Sequence, residues 1–255
     1  MELVVAPVDV LRPKLTDMFE EWAAGKPSAS APGASADREG LPPPAPLSPA
    51  PLSPARLSCA LSGGATALIF LGALRAAQVD WSHITLFWGD ERAVKPDDPD
   101  SNFGVANQML LKPLGARAPR AFRMPADLPN LGEAALHYDQ TLAHELRNGF
   151  LDLAILGVGD DGHVCSLFPG HRALINDDLR VVAVEDAPKP PPRRLSLTLP
   201  FLRQTKKIWL VVLGARKLPV LHAALSKTQR LTPLDLLLQQ AKDVTVFTDQ
   251  VIHRN

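Results

Sequence analysis

The chain has 255 residues, 46% of them hydrophobic, which is enough to bury a substantial core, and its 27 Lys and Arg balance 27 Asp and Glu. The basic residues are scattered rather than striped, which argues against a nucleic-acid groove and against a membrane surface. Two cysteines, Cys59 and Cys165, make no disulfide framework, and no run of 18 apolar residues is present to span a bilayer.

The first residues, MELVVAPVDVLRPK, lack a basic stretch followed by a long apolar core, so they do not read as a secretory signal, and a cytoplasmic protein is expected. Lys26 to Pro54 is rich in Pro, Ala and Ser and short of core-forming residues, which predicts a disordered insertion. Its LSPAPLSPA repeat also fits a proline-rich ligand for a partner domain.

RLSCAL, Arg56 to Leu61, reads as a strand, and Ser62-Gly63-Gly64-Ala65-Thr66 turns it into an apolar helix from Ala67 to about Ala77. A strand, a glycine turn and a helix start together make an anion site, because free N–H groups and the positive end of the helix dipole face one point. Ser62 and Thr66 add hydroxyl donors, although the same residues also suit a plain capped turn. ITLFWGDER, Ile84 to Arg92, is predicted as a second buried strand ending in Asp90, Glu91 and Arg92. The planar guanidinium of Arg92 suits a phosphate or sugar contact, and equally an ion network with Asp90 or Glu91.

FLDLAIL, Phe150 to Leu156, is continuously apolar apart from Asp152, as a parallel strand buried on both faces would be. The glycine-rich run that follows places His163 just past the strand's carboxyl end, where open α/β sheets bind ligands. Asp160 and Asp161 crowd beside it, and a carboxylate that orients an imidazole leaves the other ring nitrogen free to accept a proton. An isolated DGH also serves as a capped turn. Cys165, two residues on, is expected to point away from His163 and not to act as a nucleophile.

In PKPPPRRLSLTLP, Pro188 to Pro200, the prolines prevent helix, while LSLTLP alternates as a half-buried strand. Ile208 to Leu213 is a further apolar strand, followed by Gly214, Arg216 and Lys217 at the start of a helix to Leu225; Lys217 can reach an anion or remain a surface lysine.

The run Gly157 to Gly170 resembles the 6-phosphogluconolactonase signature, close to GxGxDGHxxSLFPG. The related glucosamine-6-phosphate deaminases share the GxGxDGH half but follow it with a different segment from the SLFP of Ser166 to Pro169. LSGGAT at Leu61 to Thr66, WGDERAVKPDDPDSNFG at Trp88 to Gly104, the PKPPPRRLSLTLP stretch and a looser GxxK at Gly214 to Lys217 are similar to the same family in the same order. Ala65 and Ala67 depart from its pattern, and the Pro-rich stretch falls where the family usually carries the end of its first helix, here cut short after Trp22.

The resemblance implies a three-layer α/β fold with a mainly parallel sheet flanked by helices, like the sugar-phosphate isomerases and deaminases, as one catalytic domain over residues 1–255 carrying the insertion at 26–54. It implies hydrolysis of 6-phospho-D-glucono-1,5-lactone to 6-phosphogluconate in the oxidative pentose phosphate pathway, with no metal or organic cofactor. In that scheme His163 is the base and Asp161 orients it; Ser62, Gly63, Gly64, Thr66, Arg92, Arg194 and Lys217 hold the substrate and its phosphate, and Ser101-Asn102 closes a loop that frames the sugar. Arg193 is read as a solvated neighbour of Arg194, Lys189 as a weaker phosphate candidate, and Arg216 as a rival of Lys217. The expected partner is a small phosphorylated sugar lactone, with neither nucleic acid nor membrane, and the expected state is a monomer or small homo-oligomer. A sugar-phosphate isomerase or deaminase, and a non-catalytic sensor that binds phosphate without turnover, are the competing readings. Deletion of the Pro-rich stretch is expected to leave catalysis intact.

Overall fold

A computed structural model describes residues 1–25, 56–175, 179–226 and 232–252; the Lys26 to Pro54 stretch lies outside them. Seven strands form a parallel sheet: β1 (Glu2–Val5), β2 (Leu57–Leu61), β3 (Ile84–Trp88), β5 (Arg120–Ala121), β6 (Leu153–Gly157), β9 (Lys207–Val212) and β10 (Val244–Thr248). Their spatial order is β1-β10-β9-β6-β2-β3-β5. Every residue of β3 and of β10 is buried, so both faces of the sheet are covered, as the continuous apolar runs anticipate. The cover is helical: α1 (Val8–Ala23), α2 (Ala67–Ala76), α3 (Asn102–Ala106) continuing through a π turn into α4 (Lys112–Leu114), α5 (Leu131–Glu145), α6 (Leu199–Arg203), α7 (Leu218–Leu225) and α8 (Pro233–Gln240). This is a three-layer α/β fold.

The strand order fixes where the cleft lies. From β2 the chain moves outward to β3 and β5, whereas from β6 it moves the other way to β9 and β10, so the topology switches direction between β2 and β6. Loops leaving the carboxyl ends of two strands at such a point diverge and open a crevice between them. Here the two loops are the Ser62 to Thr66 turn and the histidine-bearing turn after Gly157, and they are tied together: the Ser62 amide donates to the Ile155 carbonyl at 3.0 Å, and the Gly157 amide donates to Ser62 Oγ at 2.8 Å.

Two expectations are corrected. Ile84 to Arg92 is not one strand: the chain breaks at Gly89, and β4 (Asp90–Arg92) joins β8 (Arg194–Leu197) and β7 (Val181–Val184) in a separate antiparallel sheet of order β4-β8-β7. The break hands the acidic and basic residues to a second sheet beside the cleft instead of projecting them straight off the first. β8 is also wholly buried rather than half-buried, because it is the central strand of that small sheet. Its polar Ser196 is accommodated by accepting from the Ser166 amide and donating to the Leu197 carbonyl.

Candidate active site

At the switch point lies a cavity of about 650 Å³, within the range of small-molecule sites. The glycine turn Ser62 to Thr66, Arg92, His163, Arg194 and Lys217 all line it, so the structure brings these predicted residues to one place. Asp161 stands behind His163.

The geometry of the histidine turn follows from its glycines. A side-chain carbon on Gly159 would lie 2.0 Å from His163 Nδ1 and 2.6 Å from Asp161 Oδ1, so the imidazole and the carboxylate occupy space that only glycine leaves free. Gly162 has φ 84°, the left-handed conformation that reverses the chain and brings His163 back over Gly159. His163 Nδ1 and Asp161 Oδ1 are 2.5 Å apart, and the same oxygen accepts the His163 amide at 3.2 Å. Phe168 of the SLFP segment packs on the imidazole with ring centroids 4.6 Å apart. Burial on its own would raise the Asp161 carboxyl, but the hydrogen bond and charge of His163, joined by Lys189, outweigh it and hold the acid well below the ordinary carboxylate range. An ionised Asp161 takes the Nδ1 proton as its hydrogen bond, which leaves Nε2 as the basic nitrogen.

α2 begins beside the cleft with no side-chain cap at its N-terminus; the amides of Ala67 and Ile69 are taken by the Gly64 and Thr66 carbonyls, and the amides of Gly63 to Thr66 just before the helix make no hydrogen bond among the described residues and so suit an anion. The departures at Ala65 and Ala67 leave these backbone donors in place. The ammonium of Lys217, half-buried at the end of the turn Ala215–Lys217, makes no hydrogen bond or ion pair among the described residues, whereas Arg216 is exposed. Burial lowers the Lys217 pKa below the ordinary lysine value; Asp160 opposes the shift and the cations Lys189 and Arg216 add to it.

The two arginines differ. Arg92 makes no ion pair with Asp90 or Glu91: Nη1 donates to the Asp100 carbonyl at 2.6 Å, and Nε is buried with no partner. Glu91 is occupied otherwise, accepting the amides of Arg92, Asn102 and Phe103 and the hydroxyl of Ser101, so it shapes the 98–103 loop. Arg194 is 4% exposed, and its guanidinium donates to the carbonyls of Lys189, Pro190 and Pro191 and to Ser166 Oγ. Four of the five guanidinium N–H groups are thereby engaged within the protein. Arg193 faces away, paired with Glu185 at 2.8 Å.

Cys165 corrects a further expectation. Its φ of 54° is left-handed rather than extended, and this places the residue on the cavity lining instead of turning it away. Burial, with the charge of Asp90, pushes its thiol well above the ordinary value, so it holds little thiolate.

One lining residue, Asp249, carried no local signal, and the partners of Asp90 carried none either. Asp249 follows β10 in an unremarkable FTDQ and holds the Gly214 amide at 2.8 Å. Asp90 accepts from Ser166 Oγ at 2.7 Å and from Asn102 Nδ2 at 3.1 Å, tying the Trp88 to Gly104 segment to the SLFP segment.

A crevice at the switch point of an open parallel sheet, lined by a histidine held by a carboxylate, a glycine turn with free amides and a lysine unpaired among the described residues, defines an α/β protein of the sugar-phosphate isomerase and lactonase class. Comparison with known proteins agrees. The family model described as glucosamine-6-phosphate isomerases/6-phosphogluconolactonase matches residues 52–247. The chain is 39% identical over 175 residues to a 6-phosphogluconolactonase of Mycobacterium tuberculosis, covering 65% of this chain and 71% of that one. It is 37% identical over 213 residues to a probable chloroplastic 6-phosphogluconolactonase of Oryza sativa subsp. japonica, covering 75% of this chain and 63% of that one. A solved 6-phosphogluconolactonase structure from Thermotoga maritima superposes with a TM-score of 0.74 at 24% identity, covering 97% and 98% of the two chains. A monomeric glucosamine-6-phosphate deaminase shares the fold with a TM-score of 0.72 at 17% identity, covering 97% of each. The chain belongs to the glucosamine-6-phosphate isomerase/6-phosphogluconolactonase family.

Proposed function

We infer that the chain is a 6-phosphogluconolactonase, hydrolysing 6-phospho-D-glucono-1,5-lactone to 6-phosphogluconate in the oxidative pentose phosphate pathway. The observation that carries the assignment of roles is the His163–Asp161 pair at the cleft, with Lys217 and the Gly63 to Thr66 amides on the lining around it. His163 Nε2 takes a proton from water as the water oxygen bonds to the lactone carbonyl carbon, and Asp161 balances the imidazolium charge. As the tetrahedral carbon collapses, the bond to the ring oxygen breaks and His163 returns the proton to that oxygen. General acid–base catalysis of this kind is worth about 10²–10⁴-fold.

The phosphate is held by the backbone amides of Gly63 to Thr66, by Lys217 and by Arg92, all of which have unspent hydrogen-bonding capacity. Arg194 contributes its charge and one remaining N–H, the rest being committed to carbonyls and Ser166. Binding the phosphate remote from the reacting carbon positions the carbonyl against His163.

The deaminase reading shares this fold, so it is the SLFP segment rather than the architecture that argues against it. Assaying 6-phosphogluconate formation beside ammonia release from glucosamine 6-phosphate separates the two; ammonia without lactone hydrolysis would reverse the assignment. A single catalytic domain over residues 1–255 and a cytoplasmic location are further proposals, tested by limited proteolysis and by cell fractionation. No helix among the described residues is long and apolar enough to cross a membrane.

A further inference from the structure

We propose that Lys189 is a positioning residue for the His163–Asp161 pair, and that Arg194 acts in turning it toward that pair rather than chiefly in holding substrate. The proposal rests on the lactonase reading above.

The segment Lys189-Pro190-Pro191-Pro192 presents a hydrogen-bonding deficit. Three consecutive prolines have no N–H, so the loop cannot tie its own carbonyls through its own donors. Arg194, buried in the central strand of the small sheet, meets the deficit: Nη2 donates to Lys189 O at 2.8 Å and Pro190 O at 3.1 Å, and Nε donates to Pro191 O at 2.8 Å. The Ala187 amide takes Pro192 O at 2.9 Å. Nη1 reaches Ser166 Oγ at 3.3 Å, and Ser166 is anchored in turn on Asp90. One buried guanidinium thus fixes the backbone on which Lys189 is mounted.

From that mount the Lys189 ammonium crosses to the histidine turn, pairing with Asp160 and lying 3.4 Å from Asp161 Oδ2. The two oxygens of Asp161 are therefore divided: Oδ1 holds His163 through both Nδ1 and the backbone amide, and Oδ2 faces Lys189. A carboxylate held on both oxygens has its plane fixed, and the imidazole it holds has a fixed direction for Nε2. Without the cation, the carboxylate can rotate and Asp160 and Asp161 repel each other beside the base. An ordinary exposed ion pair contributes little to stability, so a purely structural Lys189 predicts almost no effect of its removal. A direct phosphate ligand predicts a rise in KM.

The test compares full-length wild type, Lys189→Met and Lys189→Arg by steady-state kinetics on freshly generated 6-phosphogluconolactone, together with the downfield proton resonance of the His163 Nδ1–H. The expected result is a kcat loss of about tenfold or more in Lys189→Met, part of the ~10²–10⁴-fold worth of the base. KM and melting temperature stay close to wild type, the imidazole resonance shifts or broadens, and Lys189→Arg recovers most of the loss. Unchanged kcat with a raised KM would make Lys189 a substrate ligand and overturn the proposal, as would unchanged kinetics with an unmoved resonance. Absence of turnover in the wild type would instead overturn the lactonase reading, leaving the resonance to judge the positioning by itself.

Discussion

The two ends of β6 carry similar residue types and treat them oppositely. At its amino end Asp152 accepts the Ser58 amide and hydroxyl, both at 2.8 Å, and pairs with Lys206 at 2.7 Å; nearby Lys207 pairs with Asp243 at 2.7 Å. At its carboxyl end the Lys217 ammonium has no partner among the described residues, and Arg92 Nε is buried without one. The charged groups of the amino end are thus paired with one another, and the donors left over there, Trp209 Nε1 and Thr205 Oγ1, are neutral, whereas the carboxyl end holds cationic donors awaiting an acceptor. The same sheet supplies both ends; the amino end borders a cavity of about 370 Å³, and the topological switch between β2 and β6 opens the larger one, of about 650 Å³, at the carboxyl end.

The strongest way to break the comparison is to remove the base. His163→Ala is expected to lower kcat at least 10²-fold with circular dichroism unchanged. Near-normal turnover in that variant would remove the mechanism. Asp161→Asn comes next, lowering kcat by about tenfold or more because the amide no longer stabilises the imidazolium. It also has a pH signature: a carboxyl held below its ordinary value adds stability above about pH 4, and this contribution is lost as pH falls through the folded-state pKa. Chemical denaturation should therefore show wild type more stable than Asp161→Asn at neutral pH, with the two converging in acid.

Lys217→Ala is expected to raise KM by about 10- to 100-fold with kcat nearly intact, matching the ~1.5–3 kcal/mol of a hydrogen bond to a charged group. Arg194→Ala sharpens the contrast. A simple phosphate ligand would show the same KM effect, whereas an arginine committed to three carbonyls should lose stability and kcat, measurable by thermal melts beside kinetics. The smallest effect on activity belongs to the amino end: Asp152→Ala should cost about 1–3 kcal/mol of stability by leaving Ser58 and Lys206 unpaired, with kcat and KM unchanged.

Much of this was legible in the sequence, for reasons that differ by element. The interior strands β2, β3, β6 and β9 announce themselves because burial on both faces makes an uninterrupted apolar run, and the glycine turns after β2 and β6 stand out by composition. The small antiparallel sheet was hidden, since Gly89 splits one apparent strand and nothing local says that Asp90 to Arg92 pairs with a segment a hundred residues on. Arg92 and Arg194 look alike as residues near strand ends. Their difference depends on which carbonyls lie within reach, and this is a property of the folded loops alone. Asp249 carries no sequence signal, and Asp90 stands out at a strand end without revealing its partners, for the same reason: an aspartate's partner is set by tertiary proximity and leaves no periodic trace.

The most direct test is the rate of 6-phosphogluconate formation when purified wild-type protein meets freshly generated 6-phosphogluconolactone, measured against spontaneous hydrolysis in the same buffer. A rate well above that background and proportional to protein concentration is the predicted result. A rate equal to the background would contradict the account.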